Sequence, residues 1–147
     1  MLHRLLAILA LCLSSLTVAQ AADGAVITAV NGRYEDVRDS LVAAIEGRGL
    51  VISYTAHIAS MLDRTGKDIG DSRRIYGNAE TFEFCSAAIS RRMMAAAASN
   101  IVNCPYSVAV YALPGKPGKV YLAYRRPLPG LAEVDKLLRD VVADVKP

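Results

Sequence analysis

Cys85, Cys104, Met93, Met94 and His57 are the residues whose types could supply soft-ligand or redox chemistry. The stretch "FCSAAISRRMMAAAASNIVNCPY" carries Cys85 and Cys104 at its two ends and Met93 and Met94 between them, with His57 further upstream. Thiolates combined with thioethers suit monovalent copper. A cysteine pair in an oxidising compartment is most simply a disulfide. A reactive dithiol would place its cysteines two residues apart at a helix N-terminus, where the thiol pKa falls. The spacing favours the second reading. On a helix beginning near Cys85, Met93 shares its face but lies two turns away, about 12 Å along the axis, and Met94 is turned about 100° from Met93. There is no Cys-x-x-Cys, no Met-x-x-Met and no Cys-x-x-Cys-His. A structural bridge between Cys85 and Cys104 with no cofactor is therefore the expectation. Copper on Cys85, Cys104, Met93 and His57, or a thiol–disulfide redox centre on the same pair, is the alternative.

His57 ends "SYTAHI", where alternation sets it with Ser53 and Thr55, opposite Tyr54. It could serve as a base or a ligand, but no serine or cysteine can be assigned to it as nucleophile, so no catalytic residue is named. Arginines occur as Arg73-Arg74, Arg91-Arg92 and Arg125-Arg126. Neighbours on a strand face opposite sides, so at most one of each pair can join a common patch. Convergence of Arg74, Arg91 and Arg125 would hold a carboxylate, sulfate or phosphate through bidentate forks. The plainer reading pairs such arginines with Glu80, Glu83 or Asp71. Tyr111 and Tyr121 fall on two late strands where they can pair across a hairpin. With no helix over them, they form a contact surface for a second copy or another protein.

These residues sit behind a leader. Met1-Leu2-His3-Arg4 precedes "LLAILALCLSSLTV", and Ala19-Gln20-Ala21 closes the run in small-x-small form. A basic start, a short apolar stretch and that ending describe a secretory signal peptide over residues 1–21, cleaved before Ala22. The apolar run falls short of the roughly 20 residues that cross a bilayer. Cys12 is a poor lipoprotein acceptor, because Leu11 precedes it and the apolar run continues beyond it. Processing removes Cys12 and Arg4, leaving one cysteine pair and 16 basic against 14 acidic side chains, a net of +2. So balanced a charge gives no footprint for nucleic acid or an anionic membrane. Residues 22–147 read as a single domain in the periplasm or outside the cell, with no membrane span after processing.

The elements that would position the sites follow from periodicity. "GAVITAVN" reads as a strand closed by Asn31-Gly32, and Val37, Leu41 and Ile45 form a helical stripe ended near Gly49. "LVISYTAHI" is a second strand, followed by a polar loop from Ser60 to Arg74 in which "SMLDRTG" is a short helical portion. In "RIYGNAETFEF" the alternation sends Phe82 and Phe84 one way and Glu83 the other. A helix from about Cys85 to Ala98 follows, with Asn100 as its C-terminal cap. Strands "CPYSVAVYAL" and "KVYLAYRR" form a hairpin across "PGKPG", regular only after Pro105. Leu131, Val134, Leu138, Val141 and Val145 mark a last helix. Strand, helix, strand, loop, strand, helix, strand, strand, helix is an α+β two-layer sandwich, an antiparallel-rich sheet with helices on one face.

The stretches "AAIEGRGLVI", "IYGNAETFEFCSA", "NIVNCPYSVAVYAL" and "GKVYLAYRRP" resemble the domain-of-unknown-function 302 family, over roughly Gly24 to Val145. The cysteine pair is similar to that of an exported branch of the family. The resemblance implies a curved antiparallel sheet like that of the TATA-binding protein, and it brings no activity and no catalytic residue. The functional expectation is a non-enzymatic binding or accessory module, meeting a protein partner or a small anionic ligand through its sheet surface, alone or as a homodimer.

Overall fold

The computed structural model describes residues 24–146. The leader read from residues 1–21, with Cys12, lies outside the described residues. Five strands form one sheet: β1 (Ala25–Asn31), β2 (Val51–Ala56), β3 (Asn78–Cys85), β4 (Tyr106–Ala112) and β5 (Lys119–Arg125). Their order is β1-β5-β4-β3-β2, and all four pairings are antiparallel. Among the described residues four α-helices follow β1, β2, β3 and β5, namely α1 (Tyr34–Glu46), α2 (Ile58–Asp68), α3 (Ala87–Ala96) and α4 (Ala132–Ala143), and a 3₁₀ segment spans Ala98–Asn103.

Period-2 alternation sorts the sheet residues into two layers. Phe82, Phe84, Tyr106, Val108, Val110, Val120, Leu122 and Tyr124 are buried on one face. Val37, Leu41 and Ile45 of α1, Met93 of α3 and Val134, Leu138, Val141 and Val142 of α4 join them in one apolar cluster. The helical stripes at Val37–Ile45 and Val134–Val141 exist because an i, i+4 repeat keeps those residues on one side. This is the expected α+β sandwich, with α1, α3 and α4 over a single sheet face. The other face presents Ile27 and Ala29 of β1, Tyr121, Ala123 and Arg125 of β5, Ser107, Ala109 and Tyr111 of β4, Ala79, Thr81 and Glu83 of β3, and Tyr54 of β2.

Several boundaries differ from the sequence reading. Residues Ile58–Asp68 form a full helix rather than a loop with a short helical portion. Ile58, Met61 and Leu62 give it a short apolar stripe, but none of its residues is fully buried and the stretch around it is polar. β2 stops at Ala56 and His57 becomes the residue before α2 instead of the end of a strand. Cys85 closes β3, and α3 starts two residues later behind Ser86, whose Oγ accepts the Ile89 N–H at 3.4 Å. Asn100 does close α3, through its side-chain amide, which donates to the Met93 carbonyl at 2.8 Å. Asn31-Gly32 ends β1 as read, and Gly49 takes φ +71°, three residues beyond the end of α1.

Leu122 is fully buried in the middle of β5, whereas Ile27 on the other face is 58% exposed. Leu122→Ala should lower unfolding free energy by about 2–5 kcal/mol through lost burial and a residual cavity. Ile27→Ala should stay within about 0.5 kcal/mol, as surface changes do. Urea unfolding of both variants measures the contrast.

Candidate functional site

The Cys85 and Cys104 Sγ atoms lie 2.04 Å apart with their Cα atoms at 6.2 Å, so the two residues are disulfide-bonded. The bond ties the last residue of β3 to the residue just ahead of β4 and closes a loop that contains α3 and the 3₁₀ segment. Ser90 of α3 stands over it, its Oγ 3.7 Å from the Cys104 Sγ and 3.2 Å from the Tyr106 hydroxyl. The soft-ligand set does not assemble. Both sulfurs are spent on each other, Met93 is buried in the core, and His57 sits beside Glu80, five residues along β3 from Cys85. Among the described residues no group of three or more His, Cys, Asp or Glu side chains could hold a metal ion.

At the bridged end of the molecule lies an open cleft of about 500 Å³. One wall is Val102, Asn103 and Pro105, reached through a cis Cys104–Pro105 peptide. The opposite wall is Leu131, Val134 and Leu138, from α4 and the residue before it. Tyr106 and Ser107 of β4, Arg125 of β5 and the segment Arg126–Leu128 complete it. Leu128 and Val102 are 61% and 81% exposed, unusually open for aliphatic side chains at a concave surface. Arg126 extends the β1–β5 ladder, its N–H donating to the Gly24 carbonyl at 2.8 Å. Alternation gives Arg126 the helix-side position of Leu122 and Tyr124, and gives Arg125 that of Tyr121 and Ala123.

Arg74, Arg91 and Arg125 do not converge, as the plainer reading has it. Arg74 lies at the far end of the sheet, donating to the Gly77 carbonyl at 2.9 Å and standing 3.8 Å from Asp63. Gly77 in turn pairs with Ala112 at the opposite end of β4 from Tyr106. Arg91 is exposed on α3, and Arg125 alone of the three lines the cleft. The plainer pairing holds for Arg73 with Asp71 at 3.9 Å. Glu80 pairs with an arginine too, Arg38 rather than one of the adjacent pairs. Tyr111 and Tyr121 are directly opposed across the hairpin, with ring centroids 5.1 Å apart and planes 17° from parallel. Tyr76 meets the edge of Tyr111 at 5.4 Å, which makes an aromatic row on the sheet face opposite α1, α3 and α4.

One cluster escapes a sequence reading. Glu80 shares the inward-facing register of Phe82 and Phe84, and its side chain is only 15% exposed. Its Oε2 accepts from Arg38 Nε at 3.0 Å and from the Tyr34 hydroxyl at 3.3 Å, and its Oε1 lies 2.8 Å from His57 Nδ1. An acidic residue at an inward strand position is the one available signal, since a carboxylate there must find donors. Burial first, and then the Glu80 carboxylate, push the Tyr34 phenol well above the ordinary tyrosine value.

A family model described as "Domain of unknown function DUF302" matches residues 26–146. No curated protein matches the chain. Among solved structures, it is similar to an uncharacterized conserved protein DUF302 from Bacillus stearothermophilus, with a TM-score of 0.67 and 14% identity, over 85% of this chain and 100% of that one. At that identity the likeness shows the fold alone.

Replacing both Cys85 and Cys104 by Ser should cost about 3 kcal/mol of stability by the loop-closure estimate, read by chemical denaturation without reductant. The raised Tyr34 pKa has a definite sign. A phenol that holds its proton more tightly when folded adds stability that is complete below the unfolded tyrosine value near 10, and that is lost as pH rises through the folded value. Glu80→Gln should bring the Tyr34 titration downward, followed by the ultraviolet absorbance of the phenolate.

Proposed function

The chain belongs to the domain-of-unknown-function 302 family, and we propose that it is an exported, non-enzymatic binding module for small amphipathic anions. The ligand class is a carboxylate, sulfate or phosphate with an apolar body, held in the cleft beside the disulfide. One observation carries this reading. Arg125 and Arg126 line an apolar-walled cleft, and neither forms an ion pair among the described residues. Elsewhere Arg38, Arg48, Arg92 and Arg139 are each matched to a carboxylate. A guanidinium left free against Leu128, Leu131 and Pro127 is suited to take an anion whose remainder lies on those side chains.

Binding rather than turnover fits the lining. Tyr106, Asn103, Ser107 and two arginines are its polar members, and none of the lining residues is a histidine, carboxylate or cysteine that could move a proton near neutrality. The volume is of the size that encloses a small molecule. Export is the companion part of the proposal, supported by the leader pattern of residues 1–21 and by a cysteine pair that an oxidising compartment would keep bonded. The exported, bridged branch of the family is where this chain would then stand.

Decanoate and decyltrimethylammonium, titrated calorimetrically against the purified protein, test the ligand class. Decanoate should bind, the cation should not, and Arg126→Glu should weaken decanoate at least tenfold, the scale of one lost charge-assisted hydrogen bond. Equal binding of both amphiphiles, or decanoate affinity unmoved by Arg126→Glu, would sink it. The exported form should have a mass beginning at Ala22, with both thiols blocked to alkylation until reductant is added.

A further inference from the structure

We infer that the cleft continues into a second groove and that its ligand is a single-chain amphiphile, with an anionic head at Arg126 and a long unbranched alkyl tail laid in that groove. The inference rests on the ligand class proposed for the cleft and names the shape of the ligand's apolar part.

A second cavity of about 310 Å³ lies between α3 and the start of α4. It shares Leu131 and Val134 with the cleft, so the two open on either side of the same pair of side chains. Both walls run on from one into the other. On one side the 3₁₀ segment gives Asn103 and Val102 to the cleft and Asn100 to the groove, and α3 continues the groove wall. On the other side Leu138 of α4 faces the cleft, Val134 faces both, and Ala132 faces the groove. Ile89, Met93 and Ala96 stand at i, i+4 and i+7 on one side of α3 and all line it. From Ile89 to Ala96 is about 10 Å along the helix axis, which is the length of wall offered to a tail.

The polar members of the groove are spent on one another. Arg92 of α3 pairs with Glu133 of α4, and the Asn100 side-chain amide donates to the Met93 carbonyl. Among the groove's lining residues no charge is left unpaired, whereas the cleft holds Arg126 without an ion pair. A second charged head carried into the groove would lose its water and gain no partner. Hydrocarbon suits the groove, since Ile89, Met93, Leu131 and Val134 all pack on or within the apolar cluster. A flexible chain can follow both cavities past Leu131. A short or compact body stops in the cleft and leaves the α3 wall in water.

Calorimetric titration with decanoate and tetradecanoate, below their micelle concentrations, decides the matter. Tetradecanoate should bind wild type at least tenfold more tightly, where each fully buried methylene is worth about fourfold. Ala96→Trp and Ala132→Trp, at exposed positions on opposite walls, should each abolish that gain with an unchanged far-ultraviolet spectrum. Arg126→Glu should weaken both acids alike, because the head site is common to them. A wild type without the gain, or a gain that survives either tryptophan, overturns the inference and leaves the cleft's ligand class standing. Decanoate that fails to bind, or is indifferent to Arg126→Glu, removes the ligand class and the inference together.

Discussion

Phe82, Phe84, Val108, Val110 and Leu122 must leave water together, because alternation along β3, β4 and β5 sends all of them to the same side of the sheet. Three adjacent strands with one apolar face need a cover, and α1, α3 and α4 supply it with stripes of matching width. Every other feature inherits its position from that burial. The opposite face is left to short residues, tyrosines and one pair of opposite charges. The strand ends and helix ends meet at the margins, where the layers no longer match, and there the cleft opens. A one-residue slip in β4 would exchange Val108 and Val110 for Ala109 and Tyr111 and remove the core and the aromatic row together.

How much of this is legible in one sequence depends on how local the cause is. The stripes of α1 and α4 are repeated within a dozen residues, and the structure buries the same side chains that periodicity selects. Tyr111 opposite Tyr121 follows from a hairpin, again a short-range matter. Pro105 stops the ladder where its missing N–H says it should, with β4 beginning at Tyr106. α2 is different. It packs against β3 with no fully buried residue, and its short stripe of Ile58, Met61 and Leu62 runs into Gly66 and Gly70, so it reads in the sequence as a polar stretch with glycine breaks. The Glu80 cluster draws Tyr34 and Arg38 from α1 and His57 from the β2–α2 junction, and no spacing rule links residues 46, 42 and 23 positions apart. The cleft is harder still, since its walls come from the 3₁₀ segment, two strand ends and α4. Arginine pairs showed that cations were available but not which ones topology would bring to a common place.

The bridge and the cleft belong to one piece of construction. Cys104 is anchored to β3, and the residues on either side of it, Asn103 and Pro105, form one wall of the cleft. Ser90 reaches both the bridge and Tyr106, which joins α3 to the same wall. On the other side, Arg92 of α3 pairs with Glu133 at the start of α4, with Nη2 to Oε2 at 2.5 Å. Arg48, just after α1, pairs with Asp144, just after α4. These surface pairs are individually worth little, yet they tie α4, whose Val134 and Leu138 line the cleft, to α3 and to the end of α1. The region proposed to bind is thus stiffened by a covalent bond on one side and by the helical layer on the other, which reduces the ordering cost of taking up a ligand.

β1 pairs along its whole length with β5, Ala25 opposite Arg125 at one extreme and Asn31 opposite Lys119 at the other. The earliest strand therefore has no neighbour until nearly the last residues of the sheet have arrived. A polypeptide emerging N-terminus first, from a ribosome or through a narrow channel, would carry that strand unmatched for most of its passage. Closing so distant a pairing is slow compared with forming local hairpins. Completion of the sheet therefore waits on the arrival of β5, however early β1 is made.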